Sequence, residues 1–73
     1  MMKEINDLWE KLVSRLFAIN DRAIELKKKL SDGDFVGAGI IAGSMECDAR
    51  DISEIVEAIR KQAEGIWQKR SLG

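Results

Sequence analysis

The sequence contains no histidine, no proline and no tyrosine, and it has a single cysteine, Cys47. Without histidine, the relays that activate a nucleophile through an imidazole and the common zinc sites lack their usual side chains. One cysteine cannot form a disulfide within the chain. These absences argue against an enzyme, and we expect no catalytic residue, no bound metal and no cofactor.

The lack of proline favours helices over a fold with many turns, and 45% of the residues are hydrophobic while 34% are charged. We therefore expect an all-α protein with a single helical domain over residues 1–73. A chain of this size buries little apolar surface by itself. The sequence thus predicts a helical hairpin or bundle that is completed by oligomerisation, with a homodimer as the simplest form.

The chain has no large excess of charge of either sign, because 12 basic and 13 acidic residues give a net charge of −1. The total charge therefore gives no general attraction to nucleic acid. The N-terminal segment "MMKEINDLWEKL" alternates charged and bulky residues and does not resemble a signal peptide. Together with the unpaired cysteine, this pattern predicts a cytoplasmic protein.

What is present is a long heptad pattern, which predicts helix 1 over residues 2–30. Its apolar residues follow each other in alternating steps of three and four: Met2, Ile5, Trp9, Leu12, Leu16, Ile19, Ala23, Leu26 and Leu30. Such a pattern forms one continuous apolar stripe along a helix. Lysines at positions 27–29 suit the negative end of the helix dipole, and Ser31, Asp32 and Gly33 predict its end.

A second helical pattern predicts helix 3 over residues 51–70. Asp51 and Glu54 have the spacing of a capping box at its start, and Glu57 lies four residues before Lys61, which is a favourable pair. Apolar residues again follow in steps of four and three: Ile52, Val56, Ile59, Ala63 and Ile66.

Between the two lies the glycine-rich segment "GDFVGAGIIAGS". A nucleotide-binding loop would need a preceding strand, which the pattern lacks. The uncharged residues 35–45 are too few to span a bilayer, although they have the texture of a membrane-inserting segment. We expect a short helix over residues 34–46, in which Gly37, Gly39 and Gly43 allow close helix packing, with an irregular loop as the alternative.

The segment "MECDAR" has neither the features of a reactive cysteine site nor those of a calcium site. Cys47 lies between the carboxylates of Glu46 and Asp48, whose negative charge does not favour a reactive thiolate, so Cys47 is interpreted as a half-buried structural residue. Glu46, Asp48 and Asp51 lack the spacing of a calcium loop, and a solvated, helix-capping cluster is the simpler interpretation.

A basic edge runs beside the apolar stripe of helix 1, because Arg15, Arg22 and Lys29 recur every seven residues. These residues could follow the phosphates of a nucleic acid, together with Lys27 and Lys28. In heptad proteins such a row commonly pairs with acids of a neighbouring helix, for which the sequence suggests residues 57 and 64, both glutamates.

The unequal lengths of helices 1 and 3 suggest an interface. If they pair from the Leu30 and Ile52 ends, the first turns of helix 1 extend past helix 3 and leave an apolar overhang around a tryptophan, a residue type common at binding hot spots. The predicted interface residues are Met2, Ile5, Leu8, Trp9, Leu12, Leu16 and Trp67.

The leading hypothesis is therefore a small helical protein-binding module that acts as a regulator or inhibitor. Its expected partners are a second copy of the chain and another protein. A nucleic-acid-binding helical dimer that uses the basic edge is one alternative. A membrane-active segment over residues 35–45 is the other, and the sequence favours both less than protein binding.

Overall fold

The computed structural model describes residues 2–72, and it describes the side chains of residues 3–68. The chain forms two α-helices, α1 (Met2–Ser31) and α2 (Phe35–Leu72), which pack against each other as an antiparallel hairpin. Within residues 2–72 there is no β-strand. The predicted all-α class is therefore confirmed.

The turn between the helices is a Schellman motif centred on Gly33. The backbone N–H of Asp34 donates to the carbonyl of Lys29 at 2.9 Å, and that of Gly33 donates to the carbonyl of Leu30 at 3.2 Å. Gly33 has a φ of 75°, in the left-handed region that a residue without a Cβ adopts at low cost. The predicted end of helix 1 near residues 31–33 thus agrees with the structure.

Asp34 begins α2 as its N-cap. Its Oδ1 accepts a hydrogen bond of 2.9 Å from the backbone N–H of Gly37. A Cβ on Gly37 would lie 2.5 Å from Oδ2 of the same carboxylate. Glycine at position 37 therefore makes room for the capping side chain, because any larger residue would displace it.

The prediction of a short middle helix and a separate helix 3 is wrong, since residues 35–72 form one continuous helix. No proline occurs in the chain, and no glycine lies between Gly43 and Gly65 to interrupt it. Asp51 consequently does not cap a helix. It lies inside α2, where its carboxylate contacts Arg15 of α1 at 3.8 Å.

Three ion pairs connect the two arms of the hairpin from the turn outward. They join Lys29 to Asp34, Arg22 to Asp48 and Arg15 to Asp51. Counting outward from the turn places residue 9 beside residue 56 or 57, so the first turns of α1 are paired with α2. The predicted overhang of helix 1 is therefore wrong, because α2 has 38 residues and α1 has 30.

The hairpin is long and thin, with extents of 60 × 15 × 13 Å, and it buries very little. Among the described side chains, Ala38 is the only buried hydrophobic residue and Asp48 the only buried polar one. No large side chain among residues 3–68 is fully buried. Two helices alone thus leave most of their apolar residues partly in water.

Candidate functional site

The seam between the helices is lined by two inner rows on each helix. In α1 the apolar inner row is Ile5, Leu12, Ile19 and Leu26, all half-buried. In α2 it is Ala38, Met45, Ile52, Ile59 and Ile66, all buried or half-buried. The seven-residue spacing of both rows keeps them along the contact over its whole length.

Beside these inner rows lies a further row on each helix, and the two rows form what we call the apolar face. It consists of Trp9, Leu16, Ala23 and Leu30 of α1 with Phe35, Ala42, Ala49, Val56 and Ala63 of α2. Each row follows the apolar inner row of its helix by four residues. Because the helices have the same hand and run in opposite directions, both rows turn to the same side of the hairpin.

The apolar face is open to solvent although it carries no polar side chain. Trp9 is 57% exposed, Leu16 46% and Phe35 72%, and in the small positions Ala23, Ala49 and Ala63 are also exposed. Apolar surface of this extent across two helices is typical of a binding surface and rare on the outside of a monomer.

The opposite side of the hairpin, which we call the polar face, is different in composition. It consists of Glu4, Lys11, Ala18 and Glu25 of α1 with Gly37, Ser44, Asp51, Ala58 and Gly65 of α2. An open depression of about 480 Å³ on this side is lined by charges of both signs, including Lys11, Arg15 and Glu54. The hairpin is therefore amphipathic as a unit.

Between the two faces, the guanidinium of Arg22 donates a hydrogen bond to the Asp48 carboxylate. Asp48 is buried, whereas Arg22 is half-exposed. The hydrogen bond and the charge of Asp48 raise the pKa of Arg22 above its ordinary value, so the guanidinium stays charged. This pair lies on the polar side of the seam and leaves the apolar side free of charge.

The structure divides the predicted interface residues into two groups. Ile5, Leu8 and Leu12 are half-buried in the seam of the hairpin. Trp9 and Leu16 lie on the apolar face, and Trp67 is 69% exposed near the end of α2. The side chain of Met2 lies outside the described residues.

Sequence reasoning missed the contribution of α2 to this face. The signal is an unbroken alternation of steps of four and three that begins in the glycine-rich segment: Ala38, Ala42, Met45, Ala49, Ile52, Val56, Ile59, Ala63 and Ile66. This pattern is hard to recognise in the sequence, because alanine is a weak marker of an apolar stripe and because Asp51 and Glu54 have the spacing of a helix start within it.

The basic edge is occupied by ion pairs. Arg15 and Lys29 contact Asp51 and Asp34 at 3.8 and 3.4 Å, and Arg22 pairs with Asp48. Residues 27 and 28 of the predicted set are exposed lysines. Pairing with acids of the neighbouring helix thus occurs, but with three aspartates in place of the glutamates that the sequence suggested.

Those two glutamates form ion pairs within α2. Glu57 contacts Lys61 at 3.3 Å, which confirms the predicted pair, and Glu64 contacts Arg60 at 2.9 Å. All four side chains are more than half exposed. These pairs therefore help the helix itself and do not hold it to α1.

The glycines predicted to allow close packing differ from one another. A Cβ at Gly37 would meet Asp34, whereas a Cβ at Gly39 or Gly43 would meet nothing within 4 Å. Close packing at Gly39 and Gly43 is therefore not found within the chain. The predicted membrane-active residues 35–45 form the first three turns of α2. No helix within residues 2–72 is long and apolar enough to cross a membrane.

Cys47 and its acidic neighbours also differ from expectation. The thiol is exposed, so the prediction of a half-buried cysteine is wrong. Asp48 is not part of a solvated cluster, because it is buried against α1. Among the described side chains, no group of three or more carboxylates and thiols is arranged to hold a metal ion.

Comparisons with protein families, with curated proteins and with solved structures find no match to this chain.

Proposed function

We propose that this protein is a protein-binding module, acting as a regulator or inhibitor, and that the apolar face is its binding surface. One observation carries the proposal: nine heptad positions, four on α1 and five on α2, form an apolar surface without a charged side chain, whereas the other side of the same hairpin carries Glu4, Lys11, Glu25 and Asp51. The proposal needs no catalytic group, and it places the protein in the cytoplasm, as the unpaired thiol of Cys47 suggests.

The composition of the apolar face supports a protein partner. Tryptophan, leucine and phenylalanine side chains surrounded by small residues provide the anchors and pockets on which protein interfaces depend. Trp9 has this setting, because Val56 lies at its level and Ala63 two turns further along α2. An interface built on this face would bury apolar surface without burying any charge.

The ion pairs of α1 support protein binding over nucleic-acid binding. Arg15, Arg22 and Lys29 already contact carboxylates, so an approaching phosphate would compete with an existing partner. The exposed lysines at positions 27 and 28 are the part of the basic edge that a phosphate could reach without that competition.

Site-specific photo-crosslinking tests the proposal. A photoreactive phenylalanine analogue is placed either at Ala49, on the apolar face, or at Ala58, on the polar face, and each full-length variant is irradiated in lysate of the source cells. Both positions are alanines of α2, of which Ala49 is exposed and Ala58 half-buried. We expect adducts to a protein chain, of either this or another protein, from position 49 and not from position 58. Equal adducts from both positions, or none from position 49, would contradict the proposal.

A further inference from the structure

The total solvent-accessible surface of the hairpin is larger than that of a compact monomer of the same mass. The chain exposes 5747 Å², whereas a compact monomer of 8.2 kDa exposes about 4,500 Å², so about 1,200 Å² per chain is in excess. Two chains that covered this excess on each other would bury about 2,400 Å², which lies in the range of permanent homodimers. The excess surface of the elongated hairpin is therefore large enough to supply the interface of a stable dimer.

The face also has a characteristic order of large and small residues. Counted outward from the turn between α1 and α2, Trp9 lies at about the level of Val56, Leu16 at that of Ala49, and Leu30 at that of Phe35. Between the second and third of these levels, Ala23 lies beside Ala42. From the Trp9 end to the turn, the paired side chains of the apolar face are thus large, intermediate, small and large. A partner must present side chains in the complementary order of size to fill the space.

We infer that the occupant of the apolar face is a second copy of this chain, packed antiparallel across a two-fold axis at the level of Leu16 and Ala49. The inference rests on the proposed function, because the face must first be a protein-binding surface. In this arrangement α1 packs on α1 of the second copy and α2 on α2, and the four helices form a bundle in which all neighbours are antiparallel.

The antiparallel arrangement matches large residues with small ones. It sets Trp9 against Ala23 of the second copy and Phe35 against Ala63 of the second copy. Val56 likewise meets Ala42 of the second copy. At the axis, Leu16 and Ala49 meet their own symmetry mates, so every level of the core combines large and small side chains.

The alternative two-fold arrangement has both turns at the same end of the bundle, and it packs poorly. It sets α1 against α2 of the second copy, so residues of the same level meet. Trp9 would then face Val56 and Leu30 would face Phe35, while Ala23 would face Ala42. The large side chains at Trp9 and Leu30 would be crowded, and a gap would remain between them at Ala23. Overpacking and cavities both destabilise a core.

The antiparallel arrangement also gives Trp67 a surface. The two-fold rotation about the axis at Ala49 places position 67 beside the turn of the second copy, at residues 31–35. The indole, which is 69% exposed in the single hairpin, can then pack over the end of the bundle next to Phe35 of the second copy.

Cysteine cross-linking in the full chain tests both the occupant and its orientation. Cys47, which is exposed, is first changed to serine, and Leu16→Cys, Ala49→Cys and Ala18→Cys are made separately in that background. Residues 16 and 49 lie on the proposed axis, whereas Ala18 lies on the polar face. On mild oxidation we expect disulfide-linked dimers from Leu16→Cys and from Ala49→Cys and none from Ala18→Cys, since a disulfide needs Cβ atoms about 4 Å apart.

Sedimentation equilibrium of the unmodified chain provides the second measurement, with an expected mass about twice the 8.2 kDa of one chain at micromolar concentration. Cross-links that form only when Leu16→Cys is mixed with Ala49→Cys would overturn the orientation. A mass of one chain would overturn the second copy as occupant. If position 49 still forms photo-adducts with other proteins in that case, the proposed function stands and this inference alone fails.

Discussion

Arg22 of α1 and Asp48 of α2 form a hydrogen-bonded ion pair across the middle of the hairpin. The Asp48 side chain is only 5% exposed, whereas in the ion pairs of Arg15 and Lys29 both partners are close to half exposed. A shift of one helix along the other would leave the Asp48 carboxylate buried without its cation, which is costly. This pair therefore opposes a shift of the register on which the apolar face depends.

Removal of the Asp48 carboxylate should destabilise the protein. Asp48→Ala leaves the Arg22 guanidinium without its partner and opens a small gap in the seam, so we expect a larger loss than the ~1 kcal/mol of an exposed ion pair. The loss is measured by urea unfolding at one fixed protein concentration. The double variant Arg22→Met with Asp48→Leu should recover most of the stability, because it replaces both charges by apolar groups. If Asp48→Ala unfolds at the same urea concentration as the unchanged chain, the pair does not hold the hairpin.

Two glycines of α2 should respond differently to alanine. Gly43→Ala adds a Cβ in open space, and it should stabilise the helix by ~1 kcal/mol. Gly37→Ala brings the same gain in helix propensity, but its Cβ would lie 2.5 Å from the Asp34 carboxylate and would disturb the N-cap. We expect no net gain from it in thermal unfolding. An equal gain from both variants would show that the cap contributes little.

The turn should lose stability in acid. The hydrogen bond from Gly37 and the contact with Lys29 lower the pKa of the Asp34 carboxyl. A pKa that is lower in the folded than in the unfolded chain gives stability at neutral pH. That stability is lost as the pH falls from ~4, the ordinary aspartate value, through the lower folded pKa.

Asp34→Asn isolates this effect, because it keeps a capping oxygen and removes the charge. The unchanged chain should be more stable than the variant at pH 7, and the difference should disappear at pH 2. Urea unfolding of both proteins across this range measures it. A difference that does not change with pH would mean that the carboxylate charge has no part in the turn.

Gln62 should be replaceable with a gain in stability. Its Oε1 is buried without a hydrogen-bond partner, and such a group costs about 1–3 kcal/mol. Gln62→Met keeps the length of the side chain and removes the unpaired oxygen, so we expect ~1 kcal/mol of stabilisation in urea unfolding. Gln68→Met, at an exposed position of the same helix, serves as the control and should change little.

Trp9 and Phe17 should differ in their effect on self-association. Phe17 is the more exposed of the two, at 67% against 57%, but it lies on the side of α1 away from the seam. If the apolar face is the interface, Trp9→Ala should weaken dimerisation by at least 10-fold, because a tryptophan anchor is lost. Phe17→Ala should leave it within about 2-fold, as measured by sedimentation velocity over a dilution series. The reverse order would place the interface on the outer side of α1.

The sequence alone is sufficient to predict α1, the turn that ends it, and the helical character of the C-terminal part of the chain. The heptad spacing from Met2 to Leu30 requires a helix, and Gly33 ends it because glycine adopts a positive φ without strain. Both features are local, so they can be recognised in a short segment of sequence. The heptad pattern also indicated an apolar stripe, and its row from Trp9 to Leu30 is the part of the apolar face that sequence reasoning identified.

The length of α2, and the side of each helix that faces the other, depend on contacts between the two helices. Three glycines lower helix propensity in its first turns, and the sequence could not show that contact with α1 offsets this loss. Nor could it show which of two neighbouring apolar rows meets the other helix. Arg22 and Asp48 are 26 positions apart in the chain, and their pairing selects the row of Ile5 for the seam. The row of Trp9 is left facing outward for that reason, because a helix can turn only one of its sides toward a single neighbour.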